Sequence, residues 1–279
     1  MIIWIASYPK SGNTWVRAFL TAYYFTEDGI FDPKKLREIQ DYPNSRIIGK
    51  IIEKNNIYLY WNKSQEKFIQ DKKIRFLKTH NALLSIGKYS FTTPKTTCGI
   101  LYIVRDPRNV ITSLKNHMDL KSYDETFELM KNKNMTLTNK ENDYSRTQYV
   151  SSWEINYTSW CKMNPFKKLI IKYEDMLKDP EKTFRKIILF INLLSNQEKN
   201  IVEKKLRNAI LTTNFENMKK SEIDGRFKEN VSSPTSKNKI NFFHLGPNNN
   251  WSKILNKELV NEMNLHYKDS LKDLNYEIN

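Results

Sequence analysis

The first fifteen residues constrain the fold of this chain more than any other stretch. They read MIIWIASYPKSGNTW, an apolar, β-prone run that stops at Ser7, Tyr8 and Pro9. Because proline has no N–H to donate to a sheet ladder, Pro9 ends the strand. From Asn13 onward, apolar side chains recur at roughly helical spacing, which predicts a helix capped by Asn13 or Ser11. The segment is therefore predicted to be a strand, a tight loop and the start of a helix.

The predicted loop has the chemistry of an anion-binding site. A helix start presents backbone N–H groups without intrahelical partners and the positive end of the helix dipole. Gly12 lets the backbone approach an oxyanion closely, Lys10 adds a positive charge, and Ser11 and Thr14 add hydroxyl donors. The loop is not a Walker A motif, because it has a single glycine and the lysine precedes it. We therefore expect a phosphate group here without the Mg²⁺-oriented geometry of an NTPase.

Composition limits the class of protein. A chain of 279 residues, of which 39% are hydrophobic, suffices for one large α/β domain or two small ones. The net charge of +15 favours polyanionic partners, although a compositional bias along the whole chain is the simpler explanation. Cys98 and Cys161 match no metal-ligand spacing and predict a reducing cytoplasm. We expect neither a signal peptide nor a membrane span, since no apolar run approaches about 18–20 residues.

Two later apolar runs predict further strands that end in polar groups. Residues 74–79 predict one strand, and the nearly continuous apolar run 99–104 is typical of a strand buried on both faces of a parallel sheet. Lys78 and His80 lie two residues apart at the end of the first run, so their side chains leave on the same face. Although a lone histidine is usually structural, open α/β sheets bind ligands at the carboxyl ends of their strands.

The second run leads into RDPRNVITS, which predicts the start of another helix. Asp106 is suited to cap this helix, and Pro107 suits its first turn. Ser113 lies two turns in and is predicted to reach the same anion as Arg105, whose guanidinium suits a terminal phosphate. A salt bridge to an acidic side chain is the alternative for Arg105.

Together, YPKSGNTW, the KTH at residues 78–80 and RDPRNVITS resemble the sulfotransferases that use 3′-phosphoadenosine 5′-phosphosulfate (PAPS). In that family they are the 5′-phosphosulfate-binding loop, the strand end with the catalytic base and the 3′-phosphate site. The resemblance runs from residue 1 to about 255, in the family order. It implies one α/β domain over residues 1–279, with a central, mostly parallel sheet flanked by helices and a P-loop-like strand–loop–helix at the N-terminus.

The resemblance also implies a role for each matching residue. His80 would take the acceptor proton as general base, Lys10 would stabilise the leaving phosphate oxygen, and Lys78 would assist at the sulfuryl group. The residues that would bind PAPS, or its product PAP, are Lys10, Ser11, Gly12, Asn13, Thr14, Arg105, Ser113, His244 and Gly246, with Trp15, Tyr173, Thr213 and Phe215 at the adenine. No metal ion is expected, because a sulfuryl group carries less negative charge than a phosphoryl group and lysines can replace Mg²⁺.

One segment departs from the family pattern. The family has an Arg-Lys-Gly sequence shortly before a tryptophan, whereas this chain has His244, Leu245 and Gly246 at those positions. Two cationic contacts to the 3′-phosphate are therefore missing or replaced, which weakens the predicted affinity. The substitutes would be His244, the backbone of Gly246, or one of the nearby side chains Arg226, Lys237 and Lys239.

The remaining segments carry less chemistry. Residues 119–145 are predicted to be a loop or a lid that contains a helix near 124–131, with a lid over the acceptor as the sharper alternative. Residues 219–240 are predicted to be a flexible loop. Amphipathic patterns predict helices over 146–163, 196–211 and about 256–274.

The sequence thus predicts a cytoplasmic enzyme that moves the sulfuryl group of PAPS to an acceptor hydroxyl or amine. It carries no motif for the acceptor, a small molecule or a glycan, or for the oligomeric state. Three alternatives remain: a sulfotransferase-like protein with weak nucleotide binding or catalysis, a nucleotide or small-molecule kinase, and a basic nucleic-acid-binding protein. A kinase would need Mg²⁺ and a Walker B acid, for which we find no convincing candidate, and no specific nucleic acid is expected as a partner.

Overall fold

The computed structural model of the chain describes residues 1–278, except for 52, 54–55, 72, 139–142, 163–164, 197–199, 228, 230 and 233–238. Its strands, in chain order, are β1 (Ile2–Ser7), β2 (Gln40–Asp41), β3 (Arg75–Thr79), β4 (Ser85–Ile86), β5 (Tyr89–Ser90), β6 (Thr97–Val104), β7 (Thr136–Leu137), β8 (Gln148–Tyr149), β9 (Lys168–Lys172), β10 (Val231–Ser232) and β11 (Lys239–Ile240). Its helices are α1 (Asn13–Phe25), α2 (Ser45–Ile48), α3 (Trp61–Glu66), α4 (Pro107–Met118), α5 (Tyr123–Lys131), α6 (Trp153–Cys161), α7 (Tyr173–Lys178), α8 (Pro180–Ser195), α9 (Glu203–Thr212), α10 (Phe215–Ile223), α11 (Trp251–Ile254), α12 (Lys257–His266) and α13 (Lys268–Asp273).

A five-stranded sheet in the order β2-β3-β1-β6-β9 forms the centre of the molecule. Each pair of neighbouring strands is parallel, and β1 lies between β3 and β6. The predicted α/β fold with a central parallel sheet is therefore confirmed. Because every residue of β1 is buried, its sequence is a continuous apolar run rather than an alternation of apolar and polar residues.

The sheet separates two hydrophobic cores. Alternate residues of a strand point to opposite faces, so Ile2 and Trp4 of β1 pack in one core and Ile3 and Ile5 in the other. The first core contains side chains of α4, α5, α6, α12 and α13, and the second contains those of α1, α7, α8 and α9. Helices therefore cover both faces, and the carboxyl ends of β1, β3, β6 and β9 lie at one edge of the sheet.

Three predicted helices have different boundaries in the structure. The helix expected over 146–163 begins only at Trp153, because Ser151 has a positive φ of 62° and Ser152 accepts a hydrogen bond from the N–H of Ile155 as the helix cap. The helix expected over 196–211 is α9, which starts at Glu203. Residues 257–273 form two helices, α12 and α13, rather than one.

The two segments predicted as loops contain regular structure. Residues 219–223 belong to α10, and β10 pairs with β11 inside the range 219–240. The segment 119–145 contains α5, which confirms the helix predicted near 124–131, and β7, which pairs with β8. Residues 139–142, 228, 230 and 233–238 of these two segments lie outside the described residues. Whether either segment moves over the site stays a prediction.

A buried ion pair fixes the start of α4 against the C-terminal helices. Asp106 caps α4, as predicted, and binds Arg108 through two hydrogen bonds of 2.9 Å and 2.7 Å. Arg108 also donates to Asn264 of α12 at 2.9 Å and lies 4.1 Å from the ring centre of Trp251. Since this arginine is only 1% exposed, its removal would leave the Asp106 carboxylate buried without its charge partner.

We predict that Arg108→Ala lowers the free energy of unfolding by about 3–5 kcal/mol, the typical cost of breaking a buried ion pair. Urea denaturation followed by circular dichroism measures this change. The control is Arg226→Ala, which removes the exposed pair with Asp224 at 2.8 Å and should cost about 1 kcal/mol or less. Equal losses in the two variants would contradict the structural role of Arg108.

Candidate active site

The loop between β1 and α1 has the backbone geometry of an anion-binding turn. Lys10 and Gly12 have positive φ angles of 64° and 103°, so the chain turns sharply before the helix begins. The residue before the first helical turn is Gly12, without a side-chain cap, so the prediction of Ser11 or Asn13 as the cap is wrong. Asn13 instead donates to the backbone oxygen of Ile5 at 3.1 Å. The first N–H groups of α1 thus remain available to a ligand.

Several polar atoms around this loop are buried without a hydrogen-bond partner among the described residues. They include the Ser11 hydroxyl, the Trp15 indole nitrogen and Nε of Arg105. Buried polar groups are normally hydrogen-bonded, so unpaired ones mark sites where a ligand or water supplies the partner. This pattern fits an anionic nucleotide at the loop.

Arg105 and Ser113 meet beside the loop, as the sequence predicts. One guanidinium nitrogen of Arg105 lies 3.2 Å from the Ser113 hydroxyl and donates to the backbone oxygen of Lys10 at 3.1 Å. The same guanidinium lies 4.1 Å from the ring centre of Tyr173. The contact with Lys10 therefore joins the ends of β1 and β6 into one cationic wall.

His80 has the tautomer that a general base requires. Its Nδ1 lies 2.7 Å from the backbone oxygen of Ser7, and because a carbonyl oxygen only accepts, Nδ1 carries the proton. In the neutral ring Nε2 is then a proton acceptor. Burial lowers the pKa of His80 well below its usual range, and the positive charge of Lys78 lowers it further. The imidazole is therefore neutral at physiological pH.

Backbone contacts hold His80 in place from a distant part of the chain. The N–H of His80 donates to the side-chain oxygen of Gln148 at 2.6 Å, and its carbonyl accepts from Asn156 at 2.9 Å. Gln148 belongs to β8 and Asn156 to α6. These two residues were not singled out from the sequence, because no local pattern connects them with His80.

The two lysines of the site lie in different electrostatic surroundings. Lys78 faces the carboxylate of Asp41 at 3.4 Å, and although burial opposes the shift, the charges of Lys78 and Arg17 lower the pKa of Asp41 to about 2. Burial, assisted by the charge of Arg105, lowers the pKa of Lys10 to about 7. The Lys10 ammonium lies 3.8 Å from the ring centre of Phe242. Lys10 is therefore the lysine whose charge responds to an entering anion.

Aromatic and small side chains form the other end of the site. Trp15 packs edge-on against Tyr173, with ring centres 6.0 Å apart. Phe215 begins α10, and a Cβ at Gly246 would come within 2.3 Å of its ring. The hydroxyl of Thr213 is buried and donates to the backbone oxygen of Ala209 at 2.6 Å. These surfaces have the flat, apolar character that a purine base requires.

The segment that departs from the family pattern still reaches the site. His244, Leu245 and Gly246 all line the same space, and burial, with the charges of Lys10 and Lys219, lowers the pKa of His244. The suggested substitute cations are engaged elsewhere: Arg226 pairs with Asp224 and Lys239 donates to the backbone oxygen of Glu222. Lys237 lies outside the described residues.

One cavity of about 510 Å³ brings the predicted residues together. Every predicted site residue except Ser11 lines it: Lys10, Gly12, Asn13, Thr14, Trp15, Lys78, His80, Arg105, Ser113, Tyr173, Thr213, Phe215, His244 and Gly246. The volume falls within the usual range for small-molecule sites. The cavity is therefore large enough for a small-molecule ligand.

Acidic side chains in and around the cavity were missed by the sequence analysis. Glu229 pairs with the buried Arg17 at 2.6 Å and accepts from the Thr14 hydroxyl at 3.2 Å. Glu222, which is 3% exposed, accepts the backbone N–H groups of Phe242 and Phe243 at 2.7 Å and 2.9 Å. The contacts of both carboxylates join segments that are distant in the sequence, so only a tertiary structure reveals them.

The sequence profile described as "Sulfotransferase domain" matches residues 2–275. The chain belongs to the sulfotransferase family. A flavonol 3-sulfotransferase of Flaveria bidentis is 25% identical, with 94% of this chain and 78% of the relative covered. Cytosolic sulfotransferase 13 of Arabidopsis thaliana is 22% identical, with 96% and 76% covered. The family predicted from the three motifs is thus confirmed.

Two solved structures share the fold of this sulfotransferase. A mouse sulfotransferase complexed with PAP matches with a TM-score of 0.56 and 20% identity, over 94% of this chain and 84% of the other. A retinol dehydratase in complex with androsterone and inactive cofactor PAP gives 0.59 and 19%, over 98% and 81%. Within the described ranges of this chain, no helix has the length and apolarity needed to cross a bilayer. The same ranges hold no group of three or more His, Cys, Asp or Glu side chains arranged for a metal ion.

We predict that Glu222→Ala makes the backbone at Phe242 and Phe243, in the cavity wall, more mobile. The variant removes a carboxylate that accepts two backbone N–H groups, and hydrogen bonds to charged groups are worth about 1.5–3 kcal/mol each. Hydrogen–deuterium exchange should show protection at these two amides falling about tenfold or more, while the amides of β1 keep theirs. The control is Glu216→Ala, an exposed residue on the same helix; equal exchange in both variants would contradict this role of Glu222.

Proposed function

We propose that this sulfotransferase uses PAPS as the sulfuryl donor and transfers the group to an acceptor hydroxyl or amine. The observation that carries the proposal is the position of His80. Its Nδ1 is held by the carbonyl of Ser7, the last residue before the anion-binding loop. The base and the start of the phosphate site are therefore fixed by the same strand end.

The residues around the cavity fit PAPS in three parts. The loop from Lys10 to Thr14 would hold the 5′-phosphosulfate through backbone N–H groups, hydroxyls and one ammonium. Arg105 and Ser113, already 3.2 Å apart, would bind the 3′-phosphate. The rings beside Gly12 and Gly246 would receive the adenine. PAPS supplies the activated sulfuryl group, and the protein supplies binding, orientation and the base.

The proposed transfer balances as a displacement at sulfur. The acceptor oxygen or nitrogen forms a bond to sulfur while the bond from sulfur to the 5′-phosphate oxygen breaks, and that oxygen keeps the electron pair. Nε2 of His80 takes the acceptor proton. An ammonium at Lys10 would stabilise the charge that grows on the departing oxygen, and Lys78 would assist at the sulfuryl oxygens.

The entering phosphates would favour the protonated form of Lys10. Its pKa is about 7 in the ligand-free cavity, and a nearby anion raises the pKa of an ammonium. We also propose a cytosolic location and a small-molecule acceptor. The cytosolic location rests on the relative named a cytosolic sulfotransferase, and the small-molecule acceptor rests on the use of such acceptors by sulfotransferases.

The first test measures the melting temperature with PAP, and with ADP and ATP, each with and without Mg²⁺. At a concentration a hundred times the dissociation constant, a ligand adds about 2.7 kcal/mol of stability, so we expect PAP to raise the melting temperature by a few degrees without metal. Stabilisation only by ATP with Mg²⁺ would point to a kinase. No shift with any nucleotide would overturn the proposal.

We predict that His80→Ala lowers kcat by about 10²–10⁴, the usual contribution of a general base. Because Nε2 of His80 acts on the acceptor and not on the nucleotide, the affinity for PAP should stay near that of the parent protein. Transfer is measured with radiolabelled PAPS and any acceptor that the parent protein uses, and PAP binding is measured by calorimetry. Unchanged turnover would remove His80 from the role of base.

A further inference from the structure

The charged side chains that line the cavity show where it carries a charge without an ion-pair partner among the described residues. They are Lys10, Asp41, Lys78, Arg105, Arg146 and Glu229. Asp41 faces Lys78 and Glu229 pairs with Arg17, so neither carboxylate is free. Arg105 and Lys10 belong to the anion-binding wall described above. The cation without an assigned partner is Arg146.

Arg146 lies at the end of the cavity that holds the base. It precedes Gln148 by two residues, and the Gln148 side chain accepts the backbone N–H of His80 at 2.6 Å. Leu137, which pairs with Gln148 between β7 and β8, also lines the cavity. Because Gln148 binds the backbone of His80, the segment that carries Arg146 lies beside the proposed base, where the acceptor must bind.

The guanidinium of Arg146 makes no hydrogen bond or ion pair within the part of the chain that the structure describes, and its side chain is exposed. A second polar group on the cavity wall is also unsatisfied. Nδ1 of His117, on α4 four residues after Ser113, is buried without a partner among the described residues. Among the described residues, the cavity wall thus offers a cation and a polar atom without partners, together with apolar side chains such as Met118 and Leu137.

We propose that Arg146 selects acceptors that carry a carboxylate or another oxyanion in addition to the hydroxyl or amine that is sulfated. This inference rests on the proposed function, since it names the substrate class of the same site. A guanidinium forms two parallel hydrogen bonds with an oxyanion and favours it over an uncharged group. The acidic group of the acceptor would dock at Arg146 while its hydroxyl faces Nε2 of His80.

The experiment compares pairs of acceptors in which a carboxylate is replaced by its neutral amide. The pairs are para-hydroxyphenylacetate and para-hydroxyphenylacetamide, N-acetylserine and its amide, and methyl galacturonoside and its amide, which offer a phenol, an aliphatic alcohol and a sugar hydroxyl. In at least one pair we expect kcat/KM to be about 10- to 100-fold higher for the acid, the usual strength of a charge-assisted contact.

Three variants assign that preference to one side chain. Arg146→Gln should raise KM for the acid to that of the amide and leave kcat unchanged, whereas Arg146→Lys should keep part of the preference. Arg207→Gln removes an exposed arginine on α9, away from the cavity, and should behave as the parent protein. A preference carried by general surface charge would weaken equally in the Arg146 and Arg207 variants, which would overturn the proposal.

Other outcomes separate this inference from the proposed function. If PAP stabilises the protein but the amides react as well as the acids, or no acid in the panel is sulfated, the proposal for Arg146 is overturned and donor binding stands. If PAP does not bind, the proposed function itself fails.

Discussion

The complete burial of β1 between two parallel neighbours is the constraint on which the site depends. Because β1 is hydrogen-bonded on both edges and covered on both faces, its end and the turn after Ser7 have a fixed position relative to the sheet. That turn carries Lys10, and the carbonyl of Ser7 binds the ring of His80. The distance between His80 and the loop after Ser7 is therefore set by the register of β1 and β3 rather than by flexible loops.

Several positive charges lie close together in the site, and two features of the structure reduce the repulsion between them. Carboxylates accompany two of the cations, since Asp41 faces Lys78 and Glu229 faces Arg17. Burial itself lowers the pKa of Lys10 to about 7, so that position carries less than a full positive charge near neutral pH. Lys10 can therefore gain a proton when a polyanion enters, and the added charge favours binding. Without a polyanion, its neutral form avoids part of the repulsion that fixed positive charges would cause.

Local sequence predicted the parts of the site that depend on contiguous residues. The YPKSGNTW loop, the pair Arg105 and Ser113, and His80 at a strand end each combine an apolar strand with the polar residues that follow it, and strand ends of one parallel sheet meet by topology. Contacts across the chain could not be predicted in this way. Glu222 and Gln148 act on segments 20 and 68 residues away, and a helix cap at Ser152 rather than the amphipathic pattern decides where α6 begins.

The donor and acceptor ends of the cavity differ in how far their residues are determined by the fold. The donor-side residues Lys10 and Arg105 come shortly after the ends of β1 and β6. Although His244 departs from the family pattern, Gly246 still packs against Phe215. On the acceptor side, Leu137 belongs to β7, and Arg146 lies two residues before β8, the strand that pairs with β7. Changes at Arg146 or Leu137 alter the lining of the pocket and leave in place the hydrogen bond from the backbone N–H of His80 to the side chain of Gln148. Acceptor choice can therefore change while the chemistry of transfer is kept, and in this protein the free guanidinium of Arg146 is the group that would determine it.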